Sequence, residues 1–140
     1  MTNIKNIVSK IVKKYKTTNP FLITERRGII VMEDTLKNIK GFHSEYCRQR
    51  FIHINKELSY TEKLFTVAHE LGHIFLHPKL ATPFLRNNTY LVIDRYEREA
   101  NKFAAELLIS DELLQGYESS EDFIANSGIN IEILRIKMEG

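Results

Sequence analysis

Within the stretch Ser59 to Pro78, the run Ala68-His69-Glu70-Leu71-Gly72-His73 constrains this chain more than any other. Leu64, Val67, Ala68, Leu71 and Phe75 recur at helical spacing, which predicts a helix from Ser59 to His77 with one apolar face sunk in a core. Ser59 with Glu62 three residues on forms a capping box, and Pro78 supplies a stop. On such a helix His69 and His73 lie one turn apart on one face, so both imidazoles can reach a single metal ion. Glu70 projects beside it, where a carboxylate can take a proton from a water whose pKa the metal has lowered towards about 7. That is hydrolytic chemistry. Gly72, which in a helix costs about 1 kcal/mol against alanine, reads as room for a close neighbour.

Catalytic zinc of this kind takes three protein ligands and a water, so a third donor must come from downstream. Tyr96, Ala100, Phe103, Ala104, Leu107 and Leu108 form an apolar helical stripe whose alanines suit tight packing on the Gly72 region. Glu97 lies on the edge of that stripe. Asn101, one turn later on the same face, can accept a hydrogen bond from the far ring nitrogen of a ligand histidine and fix its tautomer. Glu99 and Glu106 lie in the same stretch and remain alternatives for the third ligand.

These residues resemble the ImmA/IrrE family of metallopeptidases, within the thermolysin-like zincins. That family pairs H-E-x-x-H on one helix with a glutamate on the next, followed four residues later by Asp or Asn. Its pattern, a Glu three before Ala-Asn-x-Phe-Ala-x-x-Leu-Leu, falls on Glu97, Ala100, Asn101, Phe103, Ala104, Leu107 and Leu108. The resemblance implies Glu97 as third ligand beside His69 and His73, with Glu70 as general base and then proton donor to the leaving amine. It implies an α+β fold, a minimal zincin-like domain with a small antiparallel three-stranded sheet packed on the metal helix and further helices. Zinc is the default ion for two imidazoles and a carboxylate, with manganese or iron as alternatives.

Members of this family often cut a helix-turn-helix repressor encoded nearby. The resemblance therefore implies a metal-dependent endopeptidase acting on such a regulator, in one peptidase domain with no room for a DNA-binding domain of its own. A rival expectation is a non-cleaving antirepressor that sequesters the regulator through the zincin fold. A purely structural metal site is a third reading, disfavoured because such sites use four closed protein ligands.

The 140 residues, 43% hydrophobic, suffice for one domain with a single core. A net charge of +2 is too small to argue for nucleic acid, and the apolar runs are too short for a membrane span. The single cysteine, Cys47, rules out an internal disulfide and fits a reducing compartment, so a cytoplasmic location is expected.

Ile4, Ile7, Val8, Ile11, Val12 and Tyr15 predict an amphipathic helix over residues 1–18. Asn19-Pro20 punctuates, and Phe21 to Arg27 reads as a short helical turn. A sheet over residues 28–55 is expected from a buried strand at Gly28 to Met32, a second at Ile39 to Ser44 and a third at Arg48 to Asn55, with Glu45 to Cys47 turning between the last two. Ile52 and Ile54 would face the core, and Phe51 and His53 would point away. The resemblance to thermolysin-like zincins implies that one edge of this sheet receives an extended peptide.

After the metal helix over residues 59–77, Lys79 to Asn88 reads as a loop and Tyr90 to Ile93 as an extended piece before Asp94 caps the third-ligand helix over 94–109. Short helices follow over 111–140, at Glu112 to Gln115, Ser119 to Ala125 and Asn130 to Met138. His77 continues the i, i+4, i+8 histidine series, but about 12 Å of helix axis separates it from His69. It is therefore expected behind the ligands, beside the substrate or in a merely structural role. For the oxyanion that must be steadied near the metal, Tyr90, Tyr96, His43 and His53 are the polar candidates.

Overall fold

The computed structural model describes residues 3–79 and 90–139, with the backbone alone for 90–93. Among these residues the elements run α1 (Ile4–Tyr15), α2 (Pro20–Arg27), β1 (Ile30–Asp34), β2 (Gly41–Tyr46), β3 (Gln49–Asn55), α3 (Tyr60–Leu76), α4 (Tyr90–Leu108), α5 (Asp111–Gln115), α6 (Ser120–Ser127) and α7 (Ile131–Met138). The architecture is α+β. The expected loop lies outside the described residues beyond 79.

Local chemistry explains the helix ends. Asn3, Asn19, Ser59, Ser110, Ser119 and Asn130 each place a side-chain oxygen on a backbone N–H of the first turn, satisfying a donor that has no partner within the helix. At α3 the bond is reciprocal, because the Glu62 carboxylate also accepts from the Ser59 N–H at 3.2 Å. Hydrogen bonds from the backbone and the side chain of Ser59 hold the Glu62 carboxyl below its usual range. At the other end the His77 N–H closes the last turn on the His73 carbonyl, directly before Pro78.

α3 and α4 pack on each other more extensively than any other pair of elements, and Gly72 is the reason they can approach so closely. A Cβ at Gly72 would lie 3.0 Å from both the Cα and the carbonyl oxygen of Ala100 and 3.1 Å from Phe103 Cβ. Backbone atoms cannot rotate away. Gly72→Ala gains about 1 kcal/mol of helix propensity but overpacks at about 1–3 kcal/mol, so a net loss of about 1 kcal/mol is expected. A lowered urea midpoint would show it, and an unchanged or raised midpoint would mean that α4 can slide away freely.

Two apolar clusters meet on α4. One face sends Phe103, Ala104 and Leu107 against Val67, Ala68 and Leu71 of α3, together with Ile23 of α2, Ile52 and Ile54 of β3, and Val8 and Ile11 of α1. Ala105, with Ile109 just past the helix end, packs against Phe123, Ile133 and Leu134 of the C-terminal helices. Each such Ile, Leu or Phe contributes about 1.5–3 kcal/mol of burial. With both faces covered, α4 is the central helix.

The sheet departs from the all-antiparallel expectation. Its order is β1-β3-β2, with β2 antiparallel to β3 and β1 parallel to β3. The chain leaves β1, crosses to the far edge, and returns through the β2–β3 hairpin into the middle, so β1 and β3 run the same way. The hairpin turn also falls later than expected, at Cys47 and Arg48, whose φ angles of 51° and 67° suit a two-residue hairpin. β1 is likewise displaced and is no buried strand. It is an edge with Ile30 45% and Met32 42% exposed, and the buried residue of its run, Ile29, precedes it. Ile52 and Ile54 are fully buried, as their alternation with Phe51 and His53 predicts.

The helix expected from Asp94 begins instead at Tyr90. Asp94 sits inside it, accepting from Arg98 Nε at 2.9 Å across one turn. A buried charge network then ties this helix to the C-terminus. Lys137 Nζ lies 2.7 Å from Glu106 and 2.9 Å from Asp111, while Lys102 Nζ lies 3.3 Å from Glu106 and donates to the carbonyls of Ile136, Lys137 and Glu139. The Lys5 and Lys137 ammoniums hold the Asp111 carboxyl down at about 2. That lowered value stabilises the fold above the ordinary aspartate pKa, and the contribution is lost as pH falls towards 2.

Candidate functional site

His69 and His73 project from α3 towards Glu97 of α4. His69 Nε2 lies 3.0 Å from Glu97 Oε2, and His73 Nε2 lies 2.8 Å from Glu97 Oε1. One donor atom from each residue falls within 4.8 Å of the other two. Ligands of a tetrahedral zinc, bonded at about 2.0–2.1 Å, stand roughly 3.3 Å from one another, so two imidazoles and a carboxylate at this spacing fit such an ion in both chemistry and size. Of the alternatives, Glu99 pairs with His77 and Glu106 with Lys137. Neither joins the trio.

The electrostatics of the trio are those of groups competing for protons. Burial pushes the Glu97 carboxyl up, but hydrogen bonds from His69 and His73 outweigh it and hold the group below the ordinary carboxylate range. Burial pushes the His69 imidazole down, while the hydrogen bond it donates to Glu97 and the charges of Glu70 and Glu97 carry it above its ordinary value. A cation entering here would have to displace protons, so its affinity would rise with pH.

The second nitrogens of both histidines are occupied. His69 Nδ1 lies 2.7 Å from Asn101 Oδ1, so it donates its N–H to the amide oxygen, and Nε2 is the nitrogen that would meet a cation once the proton it shares with Glu97 is displaced. His73 Nδ1 lies 3.4 Å from His77 Nδ1, and His77 Nε2 lies 3.0 Å from Glu99. His77 is therefore a buried link behind His73. Burial pushes its imidazole below the ordinary value, outweighing the pull of Glu99.

Glu70 is 6% exposed and bonds across to the sheet, where His43 Nδ1 of β2 lies 2.8 Å from its Oε1. The His43 ring also lies alongside His73, with centroids 5.6 Å apart. The remaining oxyanion candidates stand elsewhere. His53 faces the outer side of the sheet, bonded to Asp34 at 2.9 Å and stacked on Phe42, and Tyr96 packs edge-on against His77. The side chain of Tyr90 lies outside the described residues.

A cleft of about 510 Å³ opens over the trio, walled by Ile39 to His43 on one side and by Phe65, Thr66 and Asn101 on the other. β2 is thus the sheet edge beside the metal site, which the strand pattern alone did not decide. Phe65 and Thr66 were also not anticipated, although a signal existed: they lie four residues before His69 and Glu70, on the same helix faces. Gly41 in the wall has no room for a side chain, since a Cβ there would lie 2.6 Å from the His53 carbonyl oxygen and 2.7 Å from Thr66 Cγ2. Among the described residues no helix is long and apolar enough to cross a membrane.

The family model of the IrrE N-terminal-like domain matches residues 24–126, which include α3, α4 and the whole sheet. An uncharacterized immunity region protein 2 of Bacillus phage phi105 is 38% identical over 141 residues, covering 97% of this chain and 89% of its own. The metallopeptidase ImmA of Bacillus subtilis strain 168 is 34% identical over 113 residues, covering 79% of this chain and 66% of its own. With a family model across most of its length and two relatives above 30% identity, the chain belongs to the ImmA/IrrE family of metallopeptidases.

Proposed function

We propose that this protein is a metal-dependent endopeptidase that cuts a helix-turn-helix transcriptional repressor, with His69, His73 and Glu97 as the metal ligands and zinc as the resident ion. The observation that carries the reading is the convergence of those three side chains at the floor of an open cleft, with a fourth group, Glu70, beside them and outside the trio. When bound, a divalent ion there supplies Lewis acidity, lowering the pKa of a water towards about 7 and drawing electrons from the scissile carbonyl. Glu70 takes the proton of the attacking water and passes it to the departing amine. Asn101 and His77 hold the ligand imidazoles in the tautomer that bares Nε2. The wall formed by β2 suits an extended backbone laid along a sheet edge. That a 38% identical relative is named for a phage immunity region supports a regulator as the substrate.

The test is to mix the purified protein with the repressor encoded beside its gene, with zinc and with chelator. Fragments that form only with metal are expected. A stable complex with both chains intact would replace peptidase by antirepressor, and neither fragments nor complex would remove the repressor as partner.

A further inference from the structure

The contact between Glu70 and the sheet carries a role that the metal trio does not contain. We propose that His43 is the positioning residue of the general base, its Nδ1–H pinning the Glu70 carboxylate so that the other oxygen faces the attacking water. This rests on the peptidase reading of the same site. His43 is 6% exposed, its Nδ1 lies 2.8 Å from Glu70 Oε1, and its ring is held alongside that of His73.

The terminal torsion of a glutamate is broad and nearly two-fold, so a carboxylate with no partner spreads its oxygens over many directions. A bond from a rigid ring on another element removes that freedom. A base must also hold its oxygen within about 3 Å of the proton it takes, so misdirection lowers turnover more than substrate affinity. Finally, with Nδ1 directed at Glu70, that nitrogen cannot also serve an oxyanion, which separates this role from the one its place in the cleft first suggests.

β2 gives the contact a further consequence. Lys40, Gly41 and Phe42 of the same cleft wall directly precede His43 in the chain. A peptide seated along that wall therefore presses on the segment that aims the base.

The experiment compares His43→Leu, which removes the donor, with His43→Asn, whose amide nitrogen stands the same number of bonds from Cβ as Nδ1. On the zinc-loaded protein, His43→Leu is expected to lower kcat about 100-fold with KM within about threefold of wild type, and His43→Asn to regain at least about tenfold. Equal losses in both variants, or a loss confined to KM, would overturn the assignment, and matched thermal melts separate either from unfolding. Nitrogen-15 NMR of the histidine side chains gives a readout independent of cleavage. A proton on His43 Nδ1 that exchanges slowly in wild type and rapidly in Glu70→Ala supports the contact. A bare Nδ1 in wild type refutes it. If the wild type cuts nothing, the peptidase reading has failed, and the NMR result still decides whether His43 holds Glu70.

Discussion

Glu70→Gln is expected to bind metal as wild type does and to lose about 10²- to 10⁴-fold in turnover, the range over which a positioned general base contributes. The amide keeps the size of the carboxylate, and its oxygen can still accept from His43 Nδ1, so the local packing around α3 stays in place. What it lacks is the capacity to take the proton from water. Glu70 stands outside the trio of His69, His73 and Glu97, so metal content should remain one ion per chain. Turnover within tenfold of wild type would remove Glu70 from the role of base. Loss of the metal would place Glu70 among the ligands instead. The same variant, being able to hold a substrate that it cannot cut, should also capture its protein substrate intact.

The second large effect is on stability. Lys137→Met is expected to destabilise the protein by about 3 kcal/mol, near the lower end of the range for breaking a buried ion pair. Lys137 and Glu106 are each 7% exposed, and their 2.7 Å contact lies between α7 and α4. Removing the ammonium leaves the Glu106 carboxylate buried with Lys102 as its remaining cation at 3.3 Å, which is why the loss stays at the lower end. Pairing the change with Glu106→Leu should recover at least half of it, because two apolar side chains need no counter-charge. Urea unfolding of the two variants gives the comparison. A loss below about 0.5 kcal/mol for Lys137→Met would mean that the ammonium reaches water in solution.

α3, β1 and Lys137 differ in how far their chain neighbours reveal their setting. α3 needed no tertiary information, because its cap, its apolar stripe and its stop are properties of neighbouring residues on one helix. β1 did. Ile29, Ile30 and Val31 look like a buried run, yet the sheet takes the chain on towards Asp34 and leaves Ile30 at an edge, because a strand's burial depends on what covers it. Lys137 offered no signal either. A lysine one residue from the end of an amphipathic helix reads as solvated, and only the arrival of α4 with Glu106 puts it inside.

Residue spacing along the chain alone determined that two imidazoles share a helix face and that Glu97 and Asn101 share another. Helical periodicity is a short-range property, carried by positions three and four apart. Strand order, the parallel pairing of β1, the choice of β2 as the wall of the cleft and the meeting of His43 with Glu70 were decided by tertiary structure. Each joins residues distant in the chain, and an alternating strand looks the same from sequence whichever neighbour it finally pairs with.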